Sequence, residues 1–153
     1  MSIAIEERNN YITHLLNGTI TAFKNIVPIN HQILKPKLLG QSLYLQYGVL
    51  IGITGELRGK LILAGDSTIF GAVGSSMFGM PLEGEMLASF SGELGNMIAG
   101  SLSTVIAQNG IKTDITSPTI MSGETTLSGY EKAIQLKIKL EDIGEMEIYL
   151  LLD

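Results

Sequence analysis

Residues 11–24, Tyr-Ile-Thr-His-Leu-Leu-Asn-Gly-Thr-Ile-Thr-Ala-Phe-Lys, lie over residues 93–106 with their apolar positions in register. Ile12 meets Leu94, Leu15 meets Met97, Leu16 meets Ile98, Gly18 meets Gly100, Ile20 meets Leu102 and Phe23 meets Val105. At the same offset Pro36 falls on Pro118, and after a short insertion Arg-Gly-Lys-Leu-Ile-Leu (58–63) resembles Ile-Gly-Glu-Met-Glu-Ile (143–148). A chain that repeats in this way is constrained to two related halves, about 4–66 and 82–153, each a long helix followed by strands. Periodicity alone can also bring two amphipathic helices into phase, and that reading stays open here.

Alternation supplies the strands. Ile134, Leu136, Ile138 and Leu140 alternate with Gln135, Lys137 and Lys139. Leu43, Leu45 and Tyr47, continued by Val49, Ile51 and Ile53, do the same before the Gly-Glu-Leu-Arg-Gly turn at 55–59. Strands over 59–65 and 145–152 follow their turns, and short extended pieces near 30–39 and 111–121 bring each half to three. Between the halves, Asp66 and Ser67 are N-caps for a short helix that ends near Phe78, before Gly79 and Pro81. A second long helix runs from about Leu82 to Gln108 and stops at Asn109-Gly110, where glycine can take the left-handed backbone that closes a helix. The expected fold is α+β: a largely antiparallel six-stranded sheet, two long helices packed on it and a short connecting helix. With 153 residues and 45% apolar composition, residues 1–153 are expected to form one domain with a real core.

Several function classes drop out. The net charge is -5 and no Lys/Arg cluster offers a phosphate-backbone footprint, so nucleic acid is not an expected partner. Absence of cysteine removes disulfide scaffolds, thiolate zinc sites and cysteine nucleophiles. The N-terminal residues lack the basic start and apolar run of an export signal, and the longest apolar runs are shorter than a membrane span. The expectation is a cytoplasmic protein without a membrane partner. His14 and His31 have no helical metal-ligand spacing with a carboxylate, Gly71, Gly74 and Gly79 form no phosphate-binding loop, and no serine sits in a nucleophile elbow. A self-contained active site is hard to assemble from these residues.

One helix face does carry chemistry. In Ser-Phe-Ser-Gly-Glu-Leu-Gly-Asn-Met-Ile-Ala-Gly (89–100), helical spacing gathers Ser89, Glu93, Asn96 and Gly100 on one side. Leu87, Phe90, Leu94, Ile98, Leu102 and Val105 fall on the other and can be buried. Ser103, Thr104 and Ala107 continue the first side with small residues. A carboxylate beside a carboxamide can grip a polar partner and orient a water; a solvated helix face has the same composition. Tyr11 and His14 stand at the matching positions of the first half, so only the second half carries the acid and amide pair. Gly18 and Gly100, inside helices, each cost about 1 kcal/mol relative to alanine. A close crossing of the two helices, or a partner docking there, would each account for that cost.

Glu93-Leu-Gly-Asn96-Met-Ile-Ala-Gly100 on a long helix, Ser89 four residues before the glutamate, and Ser117-Pro118-Thr119 after a strand together resemble the CheC/CheX/FliY chemotaxis phosphatases. The size, the two-half plan and the single Glu-x-x-Asn pair are similar to CheX rather than CheC, which typically carries two pairs. The resemblance implies hydrolysis of the aspartyl phosphate on a CheY-like response regulator. It implies that Asn96 positions the attacking water, that Glu93 docks to a receiver lysine, and that Ser89 and Gly100 belong to the partner-docking strip. It also implies no cofactor of the chain's own, with Mg²⁺ supplied by the receiver, and a homodimer. A CheX-like adaptor that binds a receiver or a flagellar-switch component without catalysis is the alternative. A third reading is a structural or small-ligand module in which Glu93 and Asn96 bond only to neighbouring strands or water.

Overall fold

Pro36 and Pro118 set the strand count. In the computed structural model, which describes residues 5–153 with side chains from Asn10 onward, each of the two short extended pieces is broken where proline lacks the N–H that a ladder needs. The first gives β1 (His31–Ile33) and β2 (Lys37–Leu38); the second gives β5 (Thr113–Ile115) and β6 (Thr119–Ser128). The expected six strands are therefore eight. The others are β3 (Ser42–Gly55), β4 (Gly59–Ala64), β7 (Lys132–Leu140) and β8 (Gly144–Leu152), with helices α1 (Ile5–Ile26), α2 (Ser67–Phe78) and α3 (Gly84–Ala107).

All strand pairs are antiparallel, in the order β1-β7-β8-β4-β3-β5, with β2 also on β7 and β6 also on β3. The β3–β4 and β7–β8 hairpins meet through β4 and β8, from Gly59 opposite Leu152 to Ala64 opposite Glu147. The early strands β1 and β2 edge the late hairpin, and the late strands β5 and β6 edge the early one. Each part of the chain thus completes the sheet of the other. This is the α+β architecture expected from the patterning, with three helices on an antiparallel sheet.

Helix ends follow their local signals. The Asp66 carboxylate accepts from the Thr68 backbone N–H at 2.9 Å, which caps α2 and holds the carboxyl below its usual range; the Thr68 hydroxyl bond acts in the same direction. Gly79 (φ +74°) and Gly110 (φ +83°) close α2 and the end of α3 in the left-handed conformation.

Two apolar clusters result. The larger lies between helices and sheet and joins Leu15 and Phe23 of α1 to Leu94 and Ile98 of α3 and to Val49 and Ile51 of β3. The smaller, on the opposite face, contains Leu43, Leu45, Ile62, Tyr149 and Leu151. Leu43 and Leu45 have the same alternation as Val49 and Ile51 but pack in the other cluster. Pairing of β3 with β6 slips between Leu45 and Tyr47, and a bulge of this kind bends and twists a strand. Among the described residues, no helix is long and apolar enough to cross a membrane.

Candidate functional site

Helix α3 is seated on β3 by small residues. A Cβ at Gly95 would lie 2.8 Å from Val49 Cγ1, so an alanine there would push the helix away from the strand. Ser91, fully buried, donates its hydroxyl to the Leu87 carbonyl at 2.7 Å and accepts from the Tyr47 hydroxyl at 2.9 Å. This bond ties the middle of β3 to α3 between Ser89 and Glu93. Leu94, Ile98 and Leu102 fill the core on either side. With one face so fixed, helical geometry turns the 89/93/96/100 stripe outward.

The outward face is open. Ser89 and Glu93 are exposed, and Asn96 and Gly100 are partly exposed. Among the described residues, the side chains of Ser89, Glu93 and Asn96 make no hydrogen bond or ion pair. Neither Glu93 nor Asn96 is buried against the sheet. Thr104 and Ala107 continue the strip as exposed residues, whereas Ser103 turns to β5 and bonds the Thr113 carbonyl at 3.1 Å. The strip of small residues is therefore narrower than the sequence suggests.

Its two long sides differ. On the Asn96 side, one turn earlier, a Cβ at Gly92 would lie 3.5 Å from Ile120 and 3.6 Å from Pro118, so the β5–β6 break flanks the stripe. This places the Ser117-Pro118-Thr119 segment beside the helix that carries Glu93 and Asn96. On the Glu93 side lie Met86, Phe90 and Met97, and the Phe90 ring meets Phe78 of α2 edge to face at 5.7 Å. Of the two glycines singled out by cost, Gly18 lies in the helix crossing and Gly100 does not. A Cβ at Gly18 would lie 2.8 Å from Leu102 Cδ1 and 3.0 Å from Ile106 Cγ2, which marks the α1–α3 crossing, whereas at Gly100 the nearest atom is Ile115 Cδ1 at 4.0 Å.

Tyr47, Ser91 and Gly95 were not among the site candidates read from sequence. The available signal was the run of small residues Ser91, Gly95 and Ala99 at four-residue spacing on the side opposite the stripe, which marks a face pressed onto backbone. His14 and His31 are half-buried; His31 bonds the Ile29 carbonyl through Nδ1 at 2.8 Å and packs edge to face on Phe23. Among the described residues, no three His, Cys, Asp or Glu side chains converge as a metal-binding group.

The family model for the chemotaxis phosphatase CheX matches residues 47–139. A CheY-P phosphatase CheX from Thermotoga maritima is 34% identical over 105 residues, spanning 66% of this chain and 68% of the relative. The chain belongs to the CheX family. Solved CheX structures share its fold. Chemotaxis protein CheX from Vibrio vulnificus superposes with a TM-score of 0.78 at 20% identity, covering 94% of this chain and 99% of that one. A CheX–CheY–BeF3–Mg²⁺ complex from Borrelia burgdorferi gives 0.75 at 23% identity, covering 93% and 97%. The matched region of the CheX family model includes all of α3, the Tyr47 anchor and the β5–β6 break.

Proposed function

We propose that this chain hydrolyses the aspartyl phosphate of a CheY-like response regulator, with Asn96 and Glu93 inserted into the receiver's phosphorylation site. The observation that carries the reading is the carboxamide and carboxylate of Asn96 and Glu93, without internal partners, on the open side of a helix anchored from below. Membership of the CheX family, a CheY-P phosphatase among its relatives and a solved CheX–CheY complex support it.

The chemistry asks little of the chain. An aspartyl phosphate is a mixed anhydride and already activated, so hydrolysis needs chiefly an in-line water and charge stabilisation. The water attacks phosphorus, the bond from phosphorus to the aspartyl oxygen breaks, and the carboxylate and inorganic phosphate leave, the water's proton departing with phosphate. The Asn96 oxygen accepts from that water while its amide N–H donates to a phosphoryl oxygen, with no change of protonation near neutral pH. Glu93 pairs with a receiver lysine in a charge-assisted bond and fixes the docking register. Ser89 and Gly100 admit the partner by being small. The receiver supplies Mg²⁺. A homodimer belongs to the same reading, with the ten-residue β6 as the long open sheet edge.

The test is the lifetime of the phosphoryl group on acetyl-phosphate-labelled receivers at substoichiometric amounts of this protein. Native chain shortens it; Asn96→Ala loses about 100-fold or more with an unchanged circular dichroism spectrum. Glu93→Lys weakens receiver binding. A chain that binds the receiver but leaves the phosphoryl lifetime unchanged is the adaptor.

A further inference from the structure

The apolar side of the stripe is exposed at its N-terminal end, at Met86. Of the five large hydrophobic side chains exposed among the described residues, three come from the end of α2, the connection and the first turn of α3: Phe78 (60% exposed), Met80 (51%) and Met86 (56%). Phe78 is held by its ring contact with Phe90. Met86 lies one turn before the buried Phe90 and two turns before Glu93, so helical spacing puts Met86 and Glu93 on the same side of α3. Gly79 caps α2 and bonds back to the Ser75 carbonyl at 2.7 Å, which makes the turn carrying Phe78 and Met80 a defined one.

The stretch of chain that carries the patch has charge of one sign. No Lys, Arg or His stands between Lys60 and Lys112, a span that contains Asp66, Glu83, Glu85 and Glu93. Glu83, Glu85 and Glu93 are exposed at the margin of the patch. A second copy seated here in a two-fold contact would bring these carboxylates against themselves. A partner with basic side chains around an apolar spot is attracted to the same surface.

We propose that Phe78, Met80 and Met86, fringed by Glu83 and Glu85, form the second half of the receiver-docking surface. The patch takes an apolar side chain and neighbouring Lys or Arg groups beside the receiver's phosphorylation site. This rests on the reading of Glu93 and Asn96 given above, since a receiver lysine brought to Glu93 carries the surface around it onto the patch. Methionine is flexible and polarizable and adapts to differently shaped partners, so the patch sets which receivers are served while Asn96 sets the reaction.

The experiment uses the full chain and CheY-like receiver domains phosphorylated with acetyl phosphate in Mg²⁺, with both Kd and turnover measured. The double variant Met80→Ser/Met86→Ser changes exposed positions only, and its melting temperature reports that it folds. It is expected to bind about tenfold more weakly and to raise KM by the same factor at constant kcat. The pair Glu83→Gln/Glu85→Gln is expected to flatten the salt dependence of association. Native binding and KM in the Met80→Ser/Met86→Ser chain, with turnover lost in Asn96→Ala, overturns the patch and leaves the site reading standing. Weakened binding in a system whose native chain gives no turnover supports the patch and overturns the phosphatase reading. Absence of native binding to every receiver tested overturns both, and a native dimer that dissociates in the double variant assigns the patch to self-association and overturns the proposal.

Discussion

Helices α1 and α3 place their buried hydroxyls differently, and the difference shows which helix is tied to the sheet. Thr19 of α1 is fully buried and donates to its own helix, to the Leu15 carbonyl at 2.7 Å. Ser91 of α3 makes the same kind of bond to Leu87 and in addition receives Tyr47 from the sheet. Glycine use differs as well: Gly18 lies under the α3 side chains, and Gly100 faces an open side. One helix is given over to the crossing. The other is pinned to the sheet along one side and left free along the opposite one.

The largest effect expected from breaking this contrast is at the crossing. Gly18→Leu places a branched side chain where a single Cβ already meets Leu102 and Ile106, and should cost about 3 kcal/mol by denaturant melting. A smaller loss would mean that α1 can slide on α3. Tyr47→Phe removes the hydroxyl that reaches Ser91, while Ser91 keeps its bond to Leu87; about 1 kcal/mol of stability should go. Equal stability of Tyr47→Phe and native protein would remove the anchor from the account of α3. At the open glycine the sign reverses. Gly100→Ala should raise stability by up to about 1 kcal/mol, because helix propensity improves and, beyond the backbone of its own helix turns and its chain neighbours, the nearest atom to the new Cβ is Ile115 Cδ1 at 4.0 Å. A loss there would show that the outward face is covered.

The smallest effect separates the two hairpins. Glu147 occupies the position that Ile62 holds in the aligned segment of the first hairpin. Desolvation raises its carboxyl above the ordinary range, Lys137 opposes the shift and Glu145 adds to it. The folded state therefore holds this proton more tightly than the unfolded state. Stability should fall as pH rises from the ordinary carboxylate value through the raised one, and the full penalty is present above both. Thermal melts from about pH 4 to pH 7 should show Glu147→Gln gaining a little stability at the upper end and losing this slope.

Local signals in the sequence were read well where the physics is local. Asp66, Gly79 and Gly110 mark helix ends through one hydrogen bond or one backbone angle, and the structure places those ends there. The face carrying Ser89, Glu93, Asn96 and Gly100 follows from helical period alone, and its exposure follows from the apolar residues opposite. Strand β6 was less legible, because Thr119–Ser128 is mostly polar and edges the sheet, so burial leaves little alternation to read. The destination of Leu43 and Leu45 was not legible at all, since the slip of pairing beside Tyr47 is a tertiary event. The Tyr47–Ser91 bond joins residues 44 positions apart, and no short-range pattern announces it.

Strand β3 is a party wall: Leu43 and Leu45 face one room and Val49 and Ile51 the other. Neither room can be vacated alone, so loss of the smaller cluster strips support from the strand beneath Gly95 and Ser91. The amides of residues 43–51 should then exchange with solvent as one cooperative block, and helix α3 should melt with them and not before.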